Sequence, residues 1–302
     1  MQLIRFLIIV FLLLQTSQVF SQGQGSTRSP NFYIEKSYLY VPDIGDPITL
    51  WKKSDLKFSL NLHRNKDRLS SFSNNSPKEI TQFKMGFSPL PNIYLTASFA
   101  NYNGIGFVPF EGRLGTVRYD EKMRLADFGI GRYYSRSGPL ISRLSIFKKQ
   151  RNWMMEKSWQ VNGLIGISRG RMLHQKTSAV GEGVFDFNRF YGQAGFHFQR
   201  SIWGISTHLK FGMLNYYKTS ILGDGVTELS LFVDLLMEKN NFFFMESSSK
   251  IYMGTRFGQV YYSLVYARSD AAFNEYMLNN YKSVGIVLDI QEIFKKKNKD
   301  EE

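Results

Sequence analysis

The chain contains no cysteine. Disulfides, thiol chemistry, cysteine-based metal sites and a lipid-bearing cysteine are all excluded by that absence. Long hydrophobic runs are also missing beyond the first residues. No later segment approaches 18 consecutive apolar residues, so a protein crossing the membrane with helices is excluded. Acidic residues are few, 25 Asp and Glu against 38 Lys and Arg. In a cytosolic chain that balance would raise nucleic acid as a partner. The export signal described next removes that reading, and no nucleic acid is expected.

The chain starts with one positive charge at Arg5, an apolar run from Phe6 to Leu14, and polar residues from Gln15. This is the pattern of a secretory signal peptide. Its apolar run is too short to span a bilayer as a helix, which needs about 20 residues. Val19 and Ser21 fit the small-residue cleavage rule, so residues 1–21 are expected to be removed and the mature chain to begin at Gln22.

Aromatics are abundant: 26 Phe, 17 Tyr and 4 Trp. In the mature chain they fall into period-2 alternation. Leu56, Phe58, Leu60 and Leu62 alternate with Lys57, Ser59, Asn61 and His63. Phe190, Gly192, Ala194, Phe196 and Phe198 alternate with Tyr191, Gln193, Gly195, His197 and Gln199. Trp203, Ile205, Leu209, Phe211 and Met213 alternate with Gly204, Ser206, His208, Lys210 and Gly212. Successive side chains of a strand point to opposite faces, so each segment has one apolar and one polar face. A soluble sandwich and a membrane barrel share this periodicity. A polar face rich in Gly, Ser, Gln and Tyr suits a crowded lumen, and apolar faces that end in aromatics suit an interfacial girdle. The expected fold is therefore all-β, a single antiparallel transmembrane β-barrel.

Ten strands are predicted, at 55–63, 80–88, 93–101, 124–134, 156–169, 188–199, 203–214, 241–253, 258–268 and 281–291, with twelve as the alternative. Short connections near 89–92, 200–202 and 254–258 should be periplasmic turns, and long ones at 64–79, 102–122, 170–186 and 267–280 outer loops. Residues 140–147 are placed in a periplasmic connection, and 228–239 as a short helix in an outer loop. The expected organisation is a signal peptide at 1–21, a periplasmic segment at 22–54, the barrel at 55–294 and a charged tail at 295–302. The last strand is expected to close near Ile293 and Phe294.

In this pattern the chain resembles the outer-membrane β-barrel superfamily, and its stretch from Phe242 to Arg268 resembles the near-C-terminal hairpin of small Gram-negative barrels. An aromatic at Phe294 is similar to the C-terminal signal of such barrels. The resemblance implies a location in the cell outer membrane and lends no catalytic residue. The length is similar to that of barrel subunits of gliding-type secretion machinery, but their N-terminal Asn-Pro-Ala block is absent.

Few motifs carry chemistry. Gly166-Ile167-Ser168-Arg169-Gly170 matches a G-x-S-x-G nucleophile elbow, but that motif needs a strand-turn-helix setting which the surrounding pattern lacks. The spacings Gly163-x-x-Gly166 and Gly129-x-Gly131 lack the Lys-Ser or Lys-Thr of a phosphate loop. Asn74-Asn75-Ser76 indicates an exposed loop. His197 and His208 should share the polar face of one hairpin, near Ser206, Tyr191 and Gln193. They are the candidate pair for a metal or a catalytic base, yet zinc usually takes three or more protein ligands. No catalytic, cofactor or metal site is therefore expected. The lumen should be lined by Lys57, Lys84, Asp127, Arg189, Lys210, Glu246, Lys250 and Asp289, which must pair or meet water. Their role is read as ion-paired filling of a narrow barrel, with a selectivity lining as the alternative. The expected function is non-enzymatic: structural, surface-binding or narrow-pore. A hydrolase using the lumen histidines and a soluble periplasmic barrel or sandwich carrier are the other readings. The expected partners are outer-membrane lipid and the phosphates of lipopolysaccharide.

Overall fold

The computed structural model describes residues 50, 52–65, 78–109, 116–138, 155–176, 181–223, 240–255, 257–269 and 279–294. Nearly all of them lie in strands: β1 Leu56–Asn65, β2 Lys78–Leu90, β3 Ile93–Pro109, β4 Thr116–Gly138, β5 Met155–Lys176, β6 Gly181–Ser201, β7 Trp203–Gly223, β8 Asn241–Gly254, β9 Gly258–Ser269 and β10 Asn279–Asp289. Each strand pairs antiparallel with its neighbours in the chain, and β1 pairs with β10. The sheet closes on itself, so no strand edge is left open. Among the described residues the structure is the closed ten-strand antiparallel barrel predicted from the sequence.

Period-2 alternation becomes an inside and an outside. Along β7, Trp203, Ile205, Leu209, Phe211 and Met213 are exposed, while Gly204, Ser206, His208 and Lys210 are buried. The same sense holds around the barrel: Leu60, Phe83, Leu95, Phe128, Ile165, Phe190, Ile251, Val260 and Ile286 all face outward and are exposed. The outer wall thus carries a continuous apolar belt. From Trp203 to Met213 on β7, a rise of about 3.3 Å per residue and a tilt of about 40° make the belt about 25 Å tall. Trp203 rests against Phe198 at one border of the belt, with ring centroids 5.8 Å apart.

At one end the connections are tight. Pro91 and Asn92 join β2 to β3, Ile202 alone joins β6 to β7, and residues 255–257 join β8 to β9. Asn92 and Ser201 adopt left-handed backbone, with φ of 63° and 56°. Asn tolerates that region well, which suits a two-residue hairpin. This end, called the turn end below, also receives the start of β1 and the close of β10.

At the far end the strands run on past the belt. β3 and β4 stay in register to Pro109 and Thr116, and β5 and β6 to Gln175 and Glu182. The expected outer loops 102–122 and 170–186 are therefore largely hairpin. Beyond the belt both faces of a strand can be polar, so the apolar alternation fades while the hydrogen-bond ladder continues. The close of the chain also differs from expectation. β10 ends at Asp289, and residues 290–294 form a short helical turn with Phe294 exposed on it. Asp289 sets that break, because its carboxylate accepts the backbone N–H of Glu292 at 3.1 Å as an N-cap does. The proposed signal peptide and most of the segment after it, Asn74, the stretches 140–147 and 228–239, and the tail 295–302 lie outside the described residues.

The interior is filled by small-to-large contacts between neighbouring strands. A β-carbon on Gly212 would stand 2.1 Å from the Phe190 carbonyl oxygen and 2.8 Å from the Tyr191 Cα, whereas one on the outward-facing Gly163 would meet nothing nearer than 3.8 Å. Gly212→Ala should therefore cost about 1–3 kcal/mol, the usual range for overpacking. Gly163→Ala should stay within about 0.5 kcal/mol. Urea unfolding of the two variants, followed by loss of heat-modifiable gel mobility, separates them, and equal midpoints would contradict this interior packing.

Candidate functional site: the barrel interior

Inward-facing residues form stacked layers of polar and aromatic side chains. Near the turn end, Lys57 on β1 faces Asp289 on β10 across the barrel seam, 3.9 Å apart. The Tyr252 and Tyr261 rings lie 5.3 Å apart, and the Lys250 ammonium sits 5.3 Å from the Tyr261 centroid. Ser59 and Tyr261 share a hydrogen bond of 3.3 Å, and Gln259 donates to Gln199 at 3.0 Å.

The middle layer is built on Asp127 of β4. Tyr191 donates its hydroxyl proton to this carboxylate at 2.5 Å, and the Lys210 ammonium approaches the other oxygen at 3.6 Å. Lys210 also lies 3.9 Å over the Tyr191 ring, a cation–π contact. In the next layer Arg189 reaches Glu246 at 3.8 Å, donates to Ser168 at 3.3 Å, and lies 5.8 Å over Phe244. Phe187, Tyr216 and Phe242 pack edge-on beside it, with centroids 5.6 and 6.0 Å apart.

The lumen residues predicted from sequence can now be placed. Lys57, Lys84, Asp127, Arg189, Lys210, Glu246 and Lys250 face inward and are at most 5% exposed. Asp289 stands at the turn-end mouth, with its side chain 13% exposed. Three of the cations, Lys57, Arg189 and Lys210, stand against carboxylates on other strands, which is what buried charge requires. The bulky interior residues are as closed to water as the charges: Tyr94, Tyr191, Tyr216, Phe242, Phe244, Tyr252 and Tyr261 are at most 6% exposed. An open aqueous channel would leave the residues around it accessible at every level.

His197 and His208 lie on adjacent strands of one face. His208 pairs in register with Gly195, and His197 with Ser206, so the imidazoles are diagonal neighbours as the hairpin predicted. The His208 ring fills the space a β-carbon of Gly195 would take, 2.1 Å from its nearest ring atom. His197 packs edge-on against the Tyr252 ring at 5.2 Å, and Ser206 lies 3.1 Å from the Tyr252 hydroxyl. The Ser–His arrangement is thus held around a tyrosine. Among the described residues no three His, Asp or Glu side chains group to hold a metal.

Ser168 of the G-x-S-x-G match lies mid-strand in β5, buried and hydrogen-bonded to Arg189. Its flanking glycines serve packing. Gly166 receives the Tyr191 ring and Gly170 the Phe187 ring, each from β6. No turn exposes the hydroxyl, so the nucleophile elbow is absent.

Sequence reasoning missed Leu50. It falls in the segment expected to hang outside the barrel, yet it is 1% exposed and belongs to the interior cluster with Tyr94 and Tyr133. Gln160 of β5 donates its amide to the Leu50 carbonyl. Chain ahead of β1 therefore helps occupy the lumen. Leu50 precedes the periodic segment by several residues, so no pattern could mark it.

The Arg189–Glu246 pair yields a double-mutant test. Arg189→Met strands a buried carboxylate and should cost about 3–5 kcal/mol. Adding Glu246→Gln should recover part of that loss, because no lone charge remains. Unfolding free energies of the two single variants and the double variant measure the coupling, and simple additivity would show that the pair does not interact.

No family model and no curated protein matches the chain. Among solved structures, an outer membrane channel from Pseudomonas putida F1 is similar at 9% identity with a TM-score of 0.32, over 82% of this chain and 99% of that one.

Proposed function

We propose that this chain is an outer-membrane β-barrel with a self-filled lumen, acting as a non-enzymatic structural or surface-binding protein and not as an open pore. The observation that carries this reading is the inversion of its faces. Leu, Ile, Phe and Trp cover the outside, while lysine, arginine, aspartate and glutamate are buried within. In water that arrangement exposes apolar surface far beyond the few hundred Å² usual for a monomer. In a bilayer it is the favourable one, because the closed ladder satisfies every spanning backbone group.

The filled interior favours a role other than conduction. Charged residues are neutralised by one another, aromatic rings occupy each layer, and Leu50 adds chain from outside the barrel wall. The hydrolase reading gains no support from the histidine pair, whose serine is hydrogen-bonded to the Tyr252 hydroxyl and buried. A soluble carrier is disfavoured by the exposed belt.

Two measurements test the proposal. Leu209→Arg, in mid-belt, should lower stability in vesicles by about 2–4 kcal/mol, against about 0–1 kcal/mol for Asn103→Arg above the belt. Equal effects, or a native chain that stays soluble without detergent, would overturn the membrane placement. In planar bilayers the purified protein should carry little steady current. Large, long-lived openings would refute the filled lumen.

A further inference from the structure

The outer wall of β4 to β7 gathers cations in one register row. Register places Arg124, Arg171, Asp186 and Lys218 side by side in a single row across these four strands. Arg169 sits one outward position below, between Ala126 and Asn188. The next row down is Phe128, Ile167, Phe190 and Met213, all exposed. Four cations and one carboxylate thus border the apolar belt directly.

The patch is partly preorganised. Arg171 forks onto Asp186 with bonds of 2.7 and 3.0 Å. Arg169 donates to the Tyr217 hydroxyl at 3.0 Å and lies 5.7 Å over its ring. Arg124 and Lys218 are exposed beside them. Asp186 supplies the one carboxylate of the row and pairs with Lys218 in register. With that carboxylate counted, four positive charges less one negative leave the patch at +3. Arg124 and Arg171 are direct cross-strand neighbours, a placement that repels unless an anion lies between or above them. The same register row continues to Asn101 on β3 and Thr81 on β2, which carry no charge.

We propose that this sector binds a phosphorylated lipid headgroup in the leaflet at the far end of the barrel. The inference rests on the membrane placement above. Guanidinium forks match phosphate oxygens, and Arg171 and Arg169 are already fixed in orientation. The row of Phe128, Ile167, Phe190 and Met213 gives the acyl chains of the same molecule an apolar track directly beneath. A soluble anion would use the cations and leave that track unused, whereas an amphiphile engages both.

The test uses the full chain folded in maltoside micelles and titrated with lipid A, whose headgroup carries phosphates, with native mass spectrometry reading occupancy. Arg124→Gln with Arg169→Gln and Arg171→Gln should weaken binding about tenfold or more, as loss of charge-assisted hydrogen bonds does. Arg132→Gln with Arg136→Gln and Arg200→Gln removes the same charge from exposed positions nearer the turn end and should change it by less than about threefold. Arg124→Gln with Lys218→Gln leaves the Arg171–Asp186 fork whole and should still cost about fivefold, so the question is decided even if the first triple variant misfolds. No binding to the wild type, equal losses in the two triple variants, or displacement by inorganic phosphate at the same phosphate concentration would overturn the proposal. Heat-modifiable mobility is scored in parallel. A folded barrel that ignores lipid A sinks this site alone, whereas a chain that folds soluble without micelles sinks the membrane placement.

Discussion

Closure of the sheet is the constraint on which everything else depends. Pairing of β1 with β10 leaves no open edge, so the backbone's hydrogen bonds are satisfied around the whole circumference. Only then can the outer wall be apolar without exposing unpaired amides to hydrocarbon. Closure also creates an inside of fixed width. Eight strands enclose a space that side chains just fill, and ten enclose slightly more. The remaining room can hold water, a ligand or larger side chains, and large side chains do reach into it. Tyr191, Tyr216, Tyr252 and Tyr261 reach inward from neighbouring strands, and Gly166 and Gly285 supply clearance for the Tyr191 and Tyr261 rings.

Tyrosine suits this interior because it joins the two requirements of the site. Its ring fills volume, and its hydroxyl satisfies charge that apolar residues would strand. Tyr191 shows both at once: its hydroxyl binds Asp127 while its face supports Lys210. A phenylalanine there would keep the packing and the cation–π contact but remove one hydrogen bond from a buried carboxylate. The polar lumen is accordingly stable only as a set, since Lys57, Arg189 and Lys210 each meet a carboxylate on another strand. That coupling ties strands far apart in sequence, such as β4 with β7 and β6 with β8, into one folding unit.

The sequence revealed most where a strand has one apolar and one polar face. Along β7 the alternation of Trp203, Ile205, Leu209 and Phe211 with Ser206, His208 and Lys210 settled face and register, and the tight link at Ile202 settled the hairpin. Past the belt that contrast vanishes, so the far-end hairpins of β3–β4 and β5–β6 read as loops. The break after Asp289 was hidden for a different reason: capping acts through one side-chain oxygen and leaves the apolar pattern running on to Phe294. The lumen charges were legible one by one as inward residues, but their pairing was not. Glu246 lies opposite Lys210 in register and still approaches Arg189, because the choice is made by side-chain reach and by Phe244 and Ser168 around the guanidinium.

The basic character of the chain, +13 overall, also acquires a location by subtraction. Inside the barrel, Lys57, Lys84, Arg189, Lys210 and Lys250 stand against Asp55, Asp127, Glu246 and Asp289, so the interior is close to neutral. Burial enforces that balance, because an unmatched charge there costs several kcal/mol. The excess must therefore reside outside the lumen. Among the described residues, Arg124, Arg169, Arg171 and Lys218 lie at one border of the apolar belt and Arg132, Arg136 and Arg200 at the other. Within the belt, residues such as Phe128 and Ile165 leave no place for charge, and beyond it a cation is solvated. Among the described residues, positive charge is thus sorted by the same closure that sorts the apolar residues: set against carboxylates where it is enclosed, absent from the apolar belt, and exposed at its two borders.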